Sequence, residues 1–122
     1  MKRLKILLLI SCVILVGCAA PQAVQDRVSA DMGENCAKIL LGPDYQEGAQ
    51  GIIEMKTAFA VSRDSENNIA ACGSQVLGAI FSQSAATNGA LALCEKFRLN
   101  IMNKHQKPLQ PCEIYAIGNE IK

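Results

Sequence analysis

Cysteine is the residue type in this chain with the most chemistry to offer. The chain contains six cysteines, and the last four are Cys36, Cys72, Cys94 and Cys112. A zinc site would call for a Cys-x-x-Cys or a His-x-x-x-His pair, and the sequence has neither. The four thiols either couple into two disulfides in an oxidising compartment or stay free and buried as small apolar side chains. If they couple, three pairings are open.

Nucleophilic and acid–base catalysis have little support in the sequence. His105 is the only histidine, and it lies in a polar, basic segment where a solvated side chain is expected. The Gly-x-Ser-x-Gly motif that presents a serine nucleophile is missing. Asp64 and Glu66 could act as a pair of carboxylates, but their position in a polar turn favours solvated side chains. We therefore predict no catalytic residue, no metal ligand and no cofactor.

The N-terminal residues are organised as an export signal. Lys2, Arg3 and Lys5 precede an apolar stretch over residues 6–16 that is interrupted only by Ser11. A membrane-spanning helix needs about 20 apolar residues, so this stretch is too short to remain in a bilayer. Its length is typical of the apolar region of a signal peptide, which is removed from the mature protein.

The segment Leu15-Val16-Gly17-Cys18 resembles the lipobox of bacterial lipoproteins. The resemblance implies that residues 1–17 are a signal peptide and that the Cys18 sulfur receives a diacylglycerol thioether, so that Cys18 becomes the mature N-terminus. Ala19 follows it in place of aspartate, which in Gram-negative lipoproteins implies transfer to the outer membrane, with the protein facing the periplasm. The alternative is an ordinary secretory signal cut near Ala19-Ala20, which would leave a soluble protein.

The composition of the remaining chain bounds its size and partners. Without residues 1–17, 105 of the 122 residues remain, with 9 of the 12 Lys and Arg residues and all 11 Asp and Glu residues, so the net charge is near −2. No basic surplus favours nucleic acid, and we predict no nucleic-acid partner. Residues 18–29 are expected to form a tether, and residues 30–122 a single small domain. Because a domain of this size buries only a modest core, cross-links would help it to fold.

Hydrophobic spacing predicts an α+β fold. A small three-stranded antiparallel sheet in the order β-β-α-β is expected, with one long helix packed on it and an additional N-terminal helix. Gly42-Pro43 should end the N-terminal helix, and residues 43–51 should form a polar loop. The predicted helices cover residues 30–41 and 84–103, and the predicted strands cover residues 56–62, 69–74 and 112–117.

The long helix has a recognisable apolar face. Its members recur at three- and four-residue steps, with Cys94 at the border: they are Ala86, Ala90, Leu93, Phe97 and Ile101. Ser82 or Ser84 can cap its first turn. Gly89 inside the helix costs about 1 kcal/mol relative to alanine, so we expect a close approach between the helix and the sheet at this point.

Residues 56–119 resemble a group of small secreted bacterial domains of unknown function. The resemblance rests on Ala58-Phe59-Ala60, on Ala90-Leu91-Ala92-Leu93-Cys94 and on the segment Pro111-Cys112-Glu113-Ile114-Tyr115-Ala116. It implies a disulfide between Cys94 and Cys112. The chain departs from the pattern at Ala71-Cys72-Gly73, where those domains often carry tryptophan before the glycine. We infer that Cys72 pairs with Cys36 and attaches the N-terminal helix to the sheet.

These features predict a lipid-anchored, non-enzymatic envelope protein that binds a protein partner through its small domain. Sheet edges and the face around Tyr115 are the expected contact surfaces. One alternative is a periplasmic inhibitor or immunity-type lipoprotein, for which the turn Asp64-Ser65-Glu66 would supply an inserted charge. A second alternative is an envelope hydrolase. A membrane-embedded hairpin formed by the small residues near Gly73 and Gly78 is also conceivable, but its apolar part is too short to span.

Overall fold

The computed structural model describes residues 19–51 and 54–122. The predicted signal peptide over residues 1–17 and the predicted lipidation site at Cys18 lie outside these residues. Across the described ranges, no helix combines the length and the apolar character that crossing a membrane requires.

The described residues form four helices and four strands, which confirms the predicted α+β class. The helices are α1 (Gln22–Asp31), α2 (Glu34–Leu40), α3 (Pro43–Ala49) and α4 (Gln83–His105), and the strands are β1 (Met55–Arg63), β2 (Ile69–Gly78), β3 (Glu113–Ile117) and β4 (Glu120–Ile121). The sheet is antiparallel with the strand order β2-β1-β3-β4. It has one strand more than predicted, because Gly118 adopts a positive φ of 57° and turns the chain back, so that Ile121 pairs with Ala116.

The segment that we expected to be a tether is folded onto the domain instead. Helix α1 begins at Gln22, Val28 is fully buried in the core, and Ala20 is buried as well. The side-chain amide of Gln25 donates to the Ala20 carbonyl at 2.6 Å, and that of Gln50 donates to the Ala19 carbonyl at 2.9 Å. The described chain is therefore held against the domain from its first residues.

Most of the segment over residues 43–51, expected to be a loop, forms helix α3 (Pro43–Ala49). Proline cannot continue a helix, so Pro43 prevents α2 from extending. It can begin one, because the N–H that it lacks is not used in the first turn of a helix, and α3 starts at this residue. The buried side chain of Gln46 explains why the segment is ordered: its amide donates to the Leu40 carbonyl at 2.9 Å and to Asn119 Oδ1 at 3.0 Å. The polar composition of this segment thus serves hydrogen bonds within the domain.

The sheet separates two unlike cores. On one face, helices α1 to α3 cover large side chains, and the Phe59 ring meets Tyr45 and Tyr115 edge-on at centroid distances of 5.9 and 6.5 Å. On the other face, the core between α4 and the sheet consists of small residues: Ala58, Ala60, Ala86, Ala90 and Cys94. Strand β1 is therefore buried on both of its faces.

Small residues let α4 approach the sheet closely. A Cβ atom at Gly73 would meet the Ala90 carbonyl oxygen and the Cys94 backbone nitrogen, and one at Gly89 would meet the Gln75 side chain at 2.9 Å. This confirms the close approach expected at Gly89. The helix is capped by the Ser82 hydroxyl, which was one of the two predicted caps. The predicted packing face is only partly correct: Ala86 and Ala90 are buried, and so is Cys94, which was expected at the border. Leu93 and Ile101 are half-buried and Phe97 is 44% exposed, since a helix this near the strands leaves no space for a phenylalanine ring beneath it.

Candidate functional site

Both predicted disulfides are present, and all four cysteines among the described residues are paired. Cys36 on α2 bonds Cys72 on β2, with their Cα atoms 6.0 Å apart. Cys94 on α4 bonds Cys112, the residue before β3, with their Cα atoms 6.2 Å apart. One disulfide therefore lies on each face of the sheet and links it to the helix that covers that face.

A partly buried ion pair between Glu95 and Arg98 supports the second disulfide, and sequence reasoning did not predict it. Glu95 accepts a hydrogen bond from the Cys112 backbone N–H at 2.7 Å and a second from Arg98, also at 2.7 Å. Arg98 also donates to the Leu109 carbonyl at 3.2 Å. These hydrogen bonds lower the pKa of the Glu95 carboxyl, with the Cys112 N–H as the largest cause. Glu95 thus holds the segment before β3 against α4.

A charged cleft of about 260 Å³ lies beside Tyr115. The Tyr115 hydroxyl donates to Asp31 Oδ2 at 2.6 Å, and Arg27 lies 3.6 Å from the same oxygen. On the opposite wall, Arg63 Nε lies 3.4 Å from Glu113 Oε1. The cleft could bind a polar group of mixed charge. Tyr115 itself is only 4% exposed and its hydroxyl is engaged within the domain, so a partner at the predicted face would contact the residues around Tyr115.

Burial raises the pKa of both tyrosines beside Phe59. The pKa of Tyr45 rises to about 12, chiefly because its phenol is desolvated, and its hydroxyl donates to the Gly118 carbonyl at 2.7 Å. The pKa of Tyr115 rises for the same main reason, to which the hydrogen bond and negative charge of Asp31 add. Both phenols are therefore held in the neutral form, and both link the N-terminal helices to the C-terminal strands.

We expect this domain to lose stability at alkaline pH. The folded state keeps the Tyr45 proton where the unfolded chain, with a pKa of 10.0, releases it. The raised pKa therefore adds about 3 kcal/mol to the free energy of unfolding. This contribution is complete below about pH 10 and is lost as the pH rises toward 12. Urea unfolding of Tyr45→Phe should show a shallower loss than the parent between about pH 9 and about pH 11.5. Parallel losses in the two proteins would contradict the assignment.

The remaining polar candidates are placed apart. Asp64 is buried in the turn between β1 and β2, where it accepts from the N–H groups of Glu66 and Asn68, both at 2.9 Å, and pairs with Lys107 Nζ at 3.1 Å. The Asn68 N–H is the main reason that its pKa is lowered. Asp64 is thus not available for insertion into another protein, whereas Glu66 is exposed.

His105 is exposed at the last position of α4. Over residues 19–51 and 54–122, no cluster of three or more histidine, cysteine, aspartate or glutamate side chains is arranged to hold a metal ion.

The two edges of the sheet differ in character. Strand β4 has two residues, and Glu120 within it pairs with Lys122 at 3.0 Å. Strand β2 has ten residues and none of them is charged. Beside β2 lies a groove of about 300 Å³, lined by residues that include Ile39, Ser74 and Val76. The edge of β2 is the more accessible of the two for another strand.

Comparison with protein-family models, with curated proteins and with solved structures finds no match to this chain. The resemblance of residues 56–119 to small secreted bacterial domains stays a prediction.

Proposed function

We propose that this protein is a lipoprotein of the bacterial outer membrane, held there by acyl chains on Cys18, and that its periplasm-facing domain is a binding module without enzymatic activity. The observation that carries the proposal is the segment Leu15-Val16-Gly17-Cys18, which follows a basic start and a short apolar stretch. Two or more acyl chains give stable membrane anchoring, while a single chain gives only marginal binding.

The pairing of cysteines supports the periplasmic part of this proposal. Disulfides persist in secreted and periplasmic proteins and are rare in the cytosol, and both pairs of this domain connect elements that lie on the sheet. The protein partner that we propose would meet the charged cleft beside Tyr115, which gathers side chains of α1, β1 and β3.

The anchor is tested by replacing Cys18 with serine in the full chain. The parent protein, extracted from membranes, should have the intact mass of residues 18–122 plus acyl chains, less four hydrogens for two disulfides. Cys18→Ser should lose the acyl mass and the cut before residue 18, because the thioether can no longer form. Cys12→Ser is the matched control, since that cysteine lies in the predicted signal peptide, and it should be processed like the parent. Normal processing and membrane retention of Cys18→Ser would overturn the proposal.

The binding role is tested by cross-linking in intact cells. The parent protein should be recovered with a defined envelope protein, and Arg63→Glu, which reverses a charge in the cleft, should reduce that recovery if the cleft is the contact site. The matched control is Lys96→Glu, the same change at an exposed position of α4. Recovery of no envelope protein with the parent would count against a binding role.

A further inference from the structure

We propose that the outer edge of β2 pairs with the same edge of a second copy of this chain, so that two domains form a symmetric dimer with a continuous eight-stranded antiparallel sheet. The contact involves residues 71–78 of each copy. This inference goes beyond the proposed anchor and does not depend on it, because every residue that carries it belongs to the folded domain.

The outer edge of β2 lacks the features that usually prevent strand addition. Natural edge strands are kept apart by charged residues, prolines, bulges or short length. Over residues 71–78 there is no charge and no proline, and the register with β1 runs unbroken from Met55 opposite Gly78 to Ser62 opposite Ala71. Among the described residues, Met32 alone bridges to the outer side of β2, and it does so at Ile69. Eight residues of unpaired edge therefore remain.

The charges that flank the groove beside β2 favour a second copy as the occupant. Lys38 and Asp44 both line this groove and both are exposed, and neither forms an ion pair with another residue of the described ranges. In a two-fold interface the same patch contacts itself. One cation and one anion on a single patch match such an arrangement, because Lys38 of each copy can face Asp44 of the other.

Exposed apolar residues lie where an antiparallel partner would cover them. Ile80 is 93% exposed and Phe81 is 47% exposed, and both directly follow β2. In an antiparallel pair, the C-terminal end of one β2 lies beside the N-terminal end of the other. A shallow cavity of about 240 Å³, lined by residues that include Asn35, Ile69 and Ala70, lies at that N-terminal end. Ile80 and Phe81 of one copy would thus meet this cavity in the other.

The dimer is tested by native mass spectrometry and sedimentation of the full protein extracted in mild detergent, over a range of micromolar concentrations. The parent should be dimeric, with the dimer dissociating on dilution. Ser74→Lys places a charge in the middle of the edge and should raise the dimer Kd about 10-fold or more, since an edge lysine blocks strand addition. The matched control Ser74→Gln adds a side chain of similar length without charge and should leave the Kd within about 3-fold of the parent value.

Charge reversal tests the assigned geometry. Lys38→Glu and Asp44→Lys should each raise the dimer Kd about 5-fold, and the double variant should recover the parent value, because the two charges are again opposite in sign across the two-fold axis. Ile80→Glu provides a variant that cannot disturb folding, since its side chain lies in solvent, and it should also weaken the dimer. A monomer at all concentrations, or a dimer that Ser74→Lys and Ile80→Glu leave unchanged, would overturn the proposal.

Discussion

Gly73→Ala is expected to lower the free energy of unfolding by about 3 kcal/mol, at the upper end of the usual cost of overpacking a core. A Cβ atom at this position would lie 2.6 Å from the Ala90 carbonyl oxygen and 3.0 Å from the Cys94 Cα. These atoms belong to the backbone of α4 and cannot rotate away as a side chain would. The disulfide at Cys94 restrains the same turn of the helix, so relief requires a shift of the helix as a whole.

Gly78→Ala is the matched control for this prediction. Gly78 lies on the same strand, no atom lies within 4 Å of the position of its added Cβ, and its φ is not positive. The substitution should change stability by less than about 1 kcal/mol, and its sign should be favourable if it reduces the freedom of the unfolded chain. Urea unfolding of the three proteins measures both effects. Equal midpoints for Gly73→Ala and Gly78→Ala would show that α4 does not lie against β2 as described.

Removing both disulfides is expected to leave the domain largely unfolded at 37 °C. The Cys36–Cys72 bond closes a separation of 36 residues and the Cys94–Cys112 bond one of 18. In the chain-entropy account, such loops contribute about 4 and about 3 kcal/mol respectively. Their sum is comparable to the whole stability of a small domain, about 5–15 kcal/mol. The variant with alanine at all four positions should therefore lose the near-ultraviolet circular dichroism of its tyrosines.

Variants that lack one pair separate the two contributions. Cys36→Ala with Cys72→Ala should lower stability about as much as Cys94→Ala with Cys112→Ala, or somewhat more, because its loop is longer. Each double variant should keep a folded sheet, since the other pair still connects a helix to it. Thiol-reduced parent protein provides an independent comparison. If the reduced protein unfolds at the same urea concentration as the oxidised one, the disulfides contribute little to stability.

Strongly periodic segments of this chain were predictable, and segments held by long-range contacts were not. Helix α4 and the hairpin of β1 and β2 show clear apolar spacing, and the structure has them close to the expected positions. Helix α1 carries apolar residues at helical spacing, Val24 and Val28, but it is short and otherwise polar, so its local sequence did not decide between a helix and a tether. Its burial depends on Val28 and on a hydrogen bond from Tyr115 to Asp31 across 84 positions of sequence.

The candidate surfaces of the domain were only partly predictable from the sequence. The cysteine pairing followed from the resemblance and from the compartment, whereas sequence spacing alone left three pairings open. The charged cleft could not be predicted, because it gathers Arg27, Arg63 and Glu113 from three elements that meet only in the fold. The free edge of β2 could not be predicted either, because the sequence does not state the order of strands in the sheet. Phe97 was assigned to the wrong environment since apolar spacing reports which side of a helix is apolar and not how near the helix lies to its neighbour.

The early attachment of the chain at Ala20 limits how far the domain can reach. An extended residue spans at most about 3.6 Å, so two residues separate Cys18 from this buried alanine by about 7 Å, whereas a free segment of twelve residues would span about 40 Å. If acyl chains hold Cys18 in the bilayer, the domain rests on the lipid surface with a restricted orientation. Any molecule it recognises must then come within one protein diameter of the headgroups, and lateral diffusion in the leaflet, rather than extension away from it, brings the two together.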